Sequence, residues 1–455
     1  MAFDIKLYNV VMLGICFMLI FTAFQTSGNV QTSVLNSYKT SSGEYPFKNK
    51  GYISLAIIYT VFALANFIAP PICNLFGPRV AMFIGGACYC LFIASIIMPL
   101  LSTLYIASVI VGVGAALIWT GQGNFLTLNS TDDTMGRNSG IFWALLQCSL
   151  LFGNMFVYFF FGGHVNVSDH GREVLYTVLL VACGIGTLAL VLLRKAPSQD
   201  YQQVAQNENS DDLQSPVQDS VNPERVSGQT PLESFLAAFK LLRTTDMLML
   251  ALTIAYTGFE LTFFSGVYGT SVGNIKPDKI DEPKRQIGLI GMLIGAGEIT
   301  GGLLFGIFGK YTNKYGRDPI VLLGFIIHLI TFYLIFLNLP NEAPLRETDG
   351  ESKLGYNMVV YGLCAYMLGF GDASFNTQLY SILGTLYSED SAPAFALFKC
   401  IQSVAAAIGF AYGTVLVLKY QLLILVVTAF IGTLSFFYVE RKHSRVKDLG
   451  YDPIS

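Results

Sequence analysis

The sequence predicts an all-α membrane protein: twelve transmembrane helices arranged as two six-helix halves. Three observations carry that fold class. The 455-residue chain is 53% hydrophobic and 13% charged, with mean hydropathy +0.55, too apolar and too weakly charged for a soluble domain. Windows of about twenty apolar residues recur along it, each long enough to cross roughly 30 Å of hydrocarbon as a helix. A polar stretch near the middle divides those windows six and six.

The first span, residues 8–30, ends in "FTAFQTSGNVQTS", which lacks a small-residue cleavage site, so it is expected to be kept as a helix. It carries Thr22, Gln25 and Asn29, with Thr32 just beyond. The second and third spans, 52–74 and 80–99, are apolar. The fourth, 103–127, places Trp119, Gln122 and Asn124 near its end; the fifth, 139–161, carries Gln147; the sixth is 173–194.

Residues 195–245 are rich in Gln, Asn, Ser and Asp and almost free of aromatics, as expected of a polar cytoplasmic linker with a short surface helix over 231–243. The seventh span, 247–271, holds Glu260 about fourteen residues in, near mid-bilayer at 1.5 Å per residue. The eighth, 286–308, carries Glu298, and the ninth, 318–338, a lone His328. Asp372, Asn376 and Gln378 lie in the tenth, 356–385, and Lys399 and Gln402 in the eleventh, 392–417; the twelfth is 420–439. The chain therefore divides into an N-terminal bundle (1–194), the linker (195–245), a C-terminal bundle (246–440) and a tail (441–455).

An even number of spans puts both ends on one side. Lys and Arg are denser in the segments that share a side with the ends, which predicts cytoplasmic termini. In that orientation the Asn166-Val167-Ser168 sequon faces outward, whereas Asn129-Ser130-Thr131 does not. All eight cysteines fall within predicted spans without a C-x-x-C pair, so neither a disulfide scaffold nor a metal site is expected.

The two halves also repeat. "SGNVQTSV" (27–34) aligns with "SGVYGTSV" (265–272), Gly77 with Gly316, and Gln147 with Gln402, a collinear series across the linker. Two six-helix halves related by a parallel repeat resemble the plan of the major facilitator superfamily. The superfamily's loop after the second span resembles G-x-x-x-D-R-x-G-R-R. Here Gly77 and Arg79 are kept, but Asn74 stands in the Asp position and Pro78 in an Arg position; the second copy has Lys314, Gly316 and Arg317. "WTGQGNFLTLNS", "GRNSGIFWALLQCSLLFGN", "AYTGFELTFFSGVYGT" and "LYSEDSAPAFALFKCIQS" further resemble the uncoordinated-ninety-three-like branch of that superfamily. The resemblance implies a transporter-like fold whose members include regulators of potassium channels and trafficking partners of other membrane proteins. It also places spans one, four, seven and ten around a central cavity.

Each charge inside the membrane costs on the order of 2.5 to 3.5 kcal/mol unless it is paired, protonated or faces water. Helical spacing puts Thr253, Thr257, Glu260, Tyr268 and Ser271 on one stripe, and Asp372, Asn376 and Tyr380 on another, both expected to line a polar interior. The proton-coupling or charge-pair set is Glu260, Asp372, Lys399 and Glu298, with Thr22, Gln25, Asn29, Trp119, Gln122, Asn124, Gln147, Asn376, Gln378 and Gln402 in the cavity. Lys399 could switch a carboxylate between proton-bound and ion-paired states. The plainer alternative is a fixed pair of Lys399 with Glu260 or Asp372 that holds three spans together. Glu298, with Gly295 and Gly302 on its face, reads equally as a hydrogen bonder at a helix interface. His328 is expected at the periphery in a structural role, and the aromatics mostly as core or interface anchors.

"GFGD" (369–372) matches the G-x-G-D of intramembrane aspartyl proteases, but no second Asp lies deep inside a predicted span, Asp318 standing at the first residue of the ninth. Neither Walker nor Rossmann glycine patterns occur in a strand-to-helix context, so no enzyme and no cofactor is expected. The leading expectation is a secondary carrier of a small solute by alternating access, with protons as the coupling ion. The alternative is a non-transporting regulatory or trafficking subunit of another membrane protein such as a potassium channel. Expected partners are the lipid bilayer, a small-molecule solute and, on the alternative, that membrane protein; no nucleic acid is expected. The topology predicts that Asn166→Gln abolishes a glycosidase-sensitive mobility shift on gels while Asn129→Gln leaves it intact; a shift that survives Asn166→Gln contradicts the outward placement.

Overall fold

A computed structural model describes residues 5–39, 46–130, 132–162, 168–195, 240–307, 316–387 and 391–448. Among the described residues the chain is helical, apart from one isolated parallel bridge between Ile275 and Thr348. The first half holds α1 (Ile5–Asn36), α2 (Lys50–Ala65), α3 (Ala69–Phe76), α4 (Pro78–Ile97), α5 (Leu101–Leu128), α6 (Asp132–Phe160) and α7 (Asp169–Ala189). The second holds α8 (Thr245–Thr262), a π turn (Phe263–Val267), α9 (Tyr268–Gly273), α10 (Pro283–Ile307), α11 (Asp318–Asn338), α12 (Met358–Leu386), α13 (Ser391–Gly413) and α14 (Leu418–Asp448). Among the described residues eleven stretches are long and apolar enough to cross a membrane, α8, the π turn and α9 forming one of them. The protein is thus a multi-pass membrane protein, and its many exposed Leu, Ile, Val and Phe side chains are the surface that lipid covers.

The second expected span differs from the sequence reading. It is two pieces, the 16-residue α2 and the 8-residue α3, separated by a turn at Asn66–Ile68. Pro70 and Pro71 cannot donate to the carbonyls of the preceding turn, so the helix stops and restarts with proline in its first turn.

Within the first half α1 packs on α6 and α7, α4 on α5 and α7, and α2 on α5. Within the second, α8 packs on α13 and α14, α12 on α10 and α11, and α11 on α14. Between them, α6 lies against α10 and α2 against α13.

The end of the bundle away from the termini is closed. Ten consecutive residues of α1, Thr26 to Leu35, are buried, as is all of α9. The Ser-Gly pairs matched by the repeat meet here: Gly28 sits beside the Ser265 carbonyl and Gly266 near the Gly28 carbonyl, an approach that larger side chains would hold apart. Asn29 donates to Asn154 at 3.1 Å, Asn49 to the Thr414 carbonyl at 3.3 Å and Tyr52 to the Pro344 carbonyl at 3.3 Å. The end bearing the termini is looser: Trp143 stacks on Trp119 and reaches Tyr380 across the halves, yet remains 37% exposed.

The repeated loop after the second and eighth spans uses one device twice. Gly77 and Gly316 both adopt positive φ, 80° and 78°, the left-handed region glycine enters without steric cost. Arg79 donates to the Leu193 carbonyl at 3.0 Å, whereas Arg317 pairs with Glu440 at 2.9 Å and donates to Ser381 and Thr385. Asn74 lies on α3 with its side chain outside the described set; Lys314 and Asn166 lie outside the described residues.

Candidate functional site

The site grows from α8. Thr253, Tyr256, Thr257 and Glu260 lie on turns that face α11, α12, α13 and α14, so the Glu260 side chain is wholly buried between helices rather than in lipid. The π turn directly after it inserts one residue and rotates the remainder of the span by about 100°. Tyr268 and Ser271 therefore leave the expected stripe: Tyr268 donates to the Tyr361 carbonyl at 2.8 Å and Ser271 to its own helix at Val267.

Glu260 faces Asp372 of α12 and His328 of α11. The His328 Nε2 lies 3.2 Å from Glu260 Oε1, but it also lies 3.2 Å from the Leu368 carbonyl, which can only accept. The proton therefore sits on Nε2, and Nδ1 accepts from the Tyr256 hydroxyl. Neither Glu260 oxygen receives a well-aligned donor among the described residues. Two carboxylates that face one another repel if both are ionised, so the pair is costly to keep fully charged.

Asp372 accepts from Asn376 Nδ2 at 2.7 Å, one turn along α12, and Glu298 approaches it from α10. Glu298 in turn accepts from Gln147 Nε2 of α6 at 2.5 Å. That contact joins the acid cluster of the second half to a neutral amide of the first. Of the two readings for Glu298, the helix-interface hydrogen bond is formed, and it also belongs to the cluster. Gly295 packs against Leu150 of α6, but Gly302 has no atom within 4 Å of a would-be Cβ and so takes no part in the approach.

Lys399 does not join the acids. It hydrogen bonds to Gln402 at 3.3 Å and lies 5.0 to 5.9 Å from the ring centres of Phe398, Tyr380 and Trp119, a cation–π setting. Among the described residues no ion pair links Lys399 to Glu260, Asp372 or Glu298. Gln402 intervenes, donating to Thr257 at 3.2 Å, one turn before Glu260. The expected Lys399–carboxylate pair is corrected to a relay of separate polar contacts: Lys399, Gln402, Thr257.

The other residues expected to line a cavity make separate contacts. Gln25 accepts from Ser149, and Asn29 binds Asn154, both joining α1 to α6. Trp119 packs on Trp143 at 5.8 Å. Gln122 is buried and Asn124 half-buried on α5. Among the described residues Thr22 bonds to Met18 of its own helix, and Gln378 to neighbouring Thr377.

A family model described as "Ion channel regulatory protein UNC-93" matches residues 46–437. The chain belongs to the UNC-93 family. It is 45% identical over 442 residues to UNC93-like protein MFSD11 of Xenopus tropicalis, covering 96% of each chain. It is 27% identical to UNC93-like protein 3 of Arabidopsis thaliana, covering 92% of this chain and 83% of that one. Protein unc-93 homolog A of Homo sapiens is 22% identical, over 93% and 90% of the two chains.

In this UNC-93 family member two residues of the cluster escaped the sequence reading. His328, expected at the periphery, is fully buried beside Glu260 and stacks on Phe375 at 5.8 Å and 8°. Tyr256 sits one turn before Glu260 on the same face, where helical spacing alone could have marked it. No sequence signal pairs His328 with Glu260; the contact depends on "GFGD", where a Cβ on Gly371 would collide with the His328 ring, and one on Gly369 with the α10 backbone at Ile294. The glycines of that motif let two helices close around Asp372. Gly371→Ala is expected to destabilise the protein by about 1 to 3 kcal/mol, whereas Gly384→Ala, on the same helix with open space beside it, should be neutral or slightly stabilising. Melting temperatures of the two purified variants check this; equal values contradict the packing role of Gly371.

Proposed function

We propose that this UNC-93 family protein is a secondary carrier of the major facilitator fold. Two rocking bundles, 1–194 and 246–440, joined by the 195–245 linker and followed by the 441–455 tail, move a small solute past a midplane site with protons as the coupling ion. The observation that carries this reading is the Glu260–Asp372–Glu298 cluster: Glu260 and Glu298 are buried and Asp372 half-buried, no Lys or Arg among the described residues pairs with them, and Glu298 is held to the opposite half through Gln147. Such a cluster binds and releases a proton only when water reaches it, which ties protonation to the opening of the halves. A closed end at the two Ser-Gly pairs and a looser end at Trp143 fit one state of such a cycle. Lys399, Gln402, Trp119, Gln122 and Asn124 line the path of the solute, Asn166 carries a glycan and both termini are cytoplasmic in this reading. No catalytic role is assigned.

The description of the family model, an ion channel regulatory protein, favours a second reading. On it the same helices do not cycle, and a face of the protein binds another membrane protein such as a potassium channel.

Thiol labelling of Gln122→Cys and Gln378→Cys, in a background lacking reactive native cysteines, separates the two. The carrier reading expects labelling from both sides of the membrane, with a balance that moves between two pH values. Glu260→Gln, whose amide replaces a protonated acid with little change in shape, is expected to fold and to lose the pH dependence. Access from one side at every pH overturns the carrier reading; an unchanged pH response in Glu260→Gln removes Glu260 from the coupling.

A further inference from the structure

The break between α2 and α3 has a consequence on the lipid-facing side. It leaves Phe67 opposite an open groove of about 370 Å³ between α8 and α13, whose other walls include Leu242, Phe259, Val404, Ala405 and Ile408. Every lining residue is apolar or, at Cys400, a thiol. Val404 and Ile408 are 45% and 51% exposed on a spanning helix, so the groove opens to the bilayer and not to water. Along α13 the lining runs from Leu397 to Ile408, roughly 16 Å at 1.5 Å per residue, a slot for an acyl chain rather than for a compact solute.

Its mouth is charged. Leu242 closes the end near the termini, and its neighbours Lys240 and Arg243 are both exposed there. We propose that the groove binds one acyl chain of an anionic glycerophospholipid whose headgroup lies at Lys240 and Arg243. The apolar walls select a chain and the basic mouth selects the headgroup's negative charge. The groove also touches both halves, with Phe67 on one and α8 and α13 on the other. A bound chain therefore acts as a wedge that favours the state with the terminal end open. That last consequence rests on the carrier reading; the lipid site does not.

The test uses the full chain in vesicles containing a photo-crosslinking phosphatidylserine or the matching phosphatidylcholine, with the labelled residues mapped by mass spectrometry. The expected label falls on peptides covering 255–259 and 397–408, and phosphatidylserine is preferred by about fivefold for each basic residue engaged. Val404→Trp with Ile408→Trp, which fills the groove from its exposed side, should remove the label, and Lys240→Gln with Arg243→Gln should equalise the two lipids. Label spread evenly to lipid-facing residues such as Leu91, Phe159 and Val181 overturns the site, as does equal labelling by both lipids in the unaltered protein. With a positive map, phosphatidylserine should raise labelling of Gln122→Cys from the terminal side. No rise overturns the wedge alone, and one-sided access in every lipid overturns the carrier reading while the lipid site stands.

Discussion

A carboxyl group in the hydrocarbon layer has to be satisfied by protein, because lipid offers no hydrogen bond and water is excluded. Three of them meet here, and much of the second half is arranged around that fact. Glu260 is enclosed by α8, α11 and α12, Asp372 by its own Asn376, and Glu298 by a side chain borrowed from the other half. The close packing that the enclosure requires is supplied by small residues. Gly369 brings α12 against α10, and Gly371 makes room for the His328 ring. His328 spends its two nitrogens on Tyr256 and the Leu368 carbonyl. Among the described residues Glu260 is thereby left facing Asp372 without a well-aligned donor.

The internal repeat shows how unequal the two halves have become. At the closed end the copies still perform the same task, since Ser27-Gly28 and Ser265-Gly266 meet each other. Gly77 and Gly316 likewise share one backbone conformation. Elsewhere the copies diverge. The position matching Glu260 is Thr22, whose hydroxyl turns back to its own helix. Gln147 reaches across to an acid, whereas its counterpart Gln402 stays within its half between Lys399 and Thr257. Arg79 holds a backbone carbonyl where Arg317 holds a carboxylate. Charge chemistry is concentrated on one side of the interface, and neutral partners stand opposite.

The membrane class, the all-helical character and most of the spans were legible because apolar run length is a strong signal. Burial of Glu260 and Glu298 was legible too, since a charge in lipid is costly wherever it lies. Three features were not. The break in the second span depended on two adjacent prolines whose effect a hydropathy window averages away. The π turn at Phe263–Val267 leaves no mark in helical spacing, so spacing alone carries the stripe through Tyr268 one residue out of register. The partner choice of Lys399 turned on which way a flexible side chain leaves its helix: Trp119, Tyr380 and Gln402 offered it a nearer setting than the acids did. His328 was misplaced because its neighbours lie on two other helices, and only the packed structure brings Gly371 beneath it.

The central claim is that the halves exchange the closed end for the open one. Pulsed spin-label distances test it most directly, using Thr127→Cys with Gly384→Cys at the end bearing the termini and Leu101→Cys with Val359→Cys at the other; these four sites are exposed on α5 and α12. The account predicts opposite movements on a change of pH, one distance shortening as the other lengthens, and loss of both in Glu260→Gln. Distances that stay fixed, or that lengthen together, would contradict it.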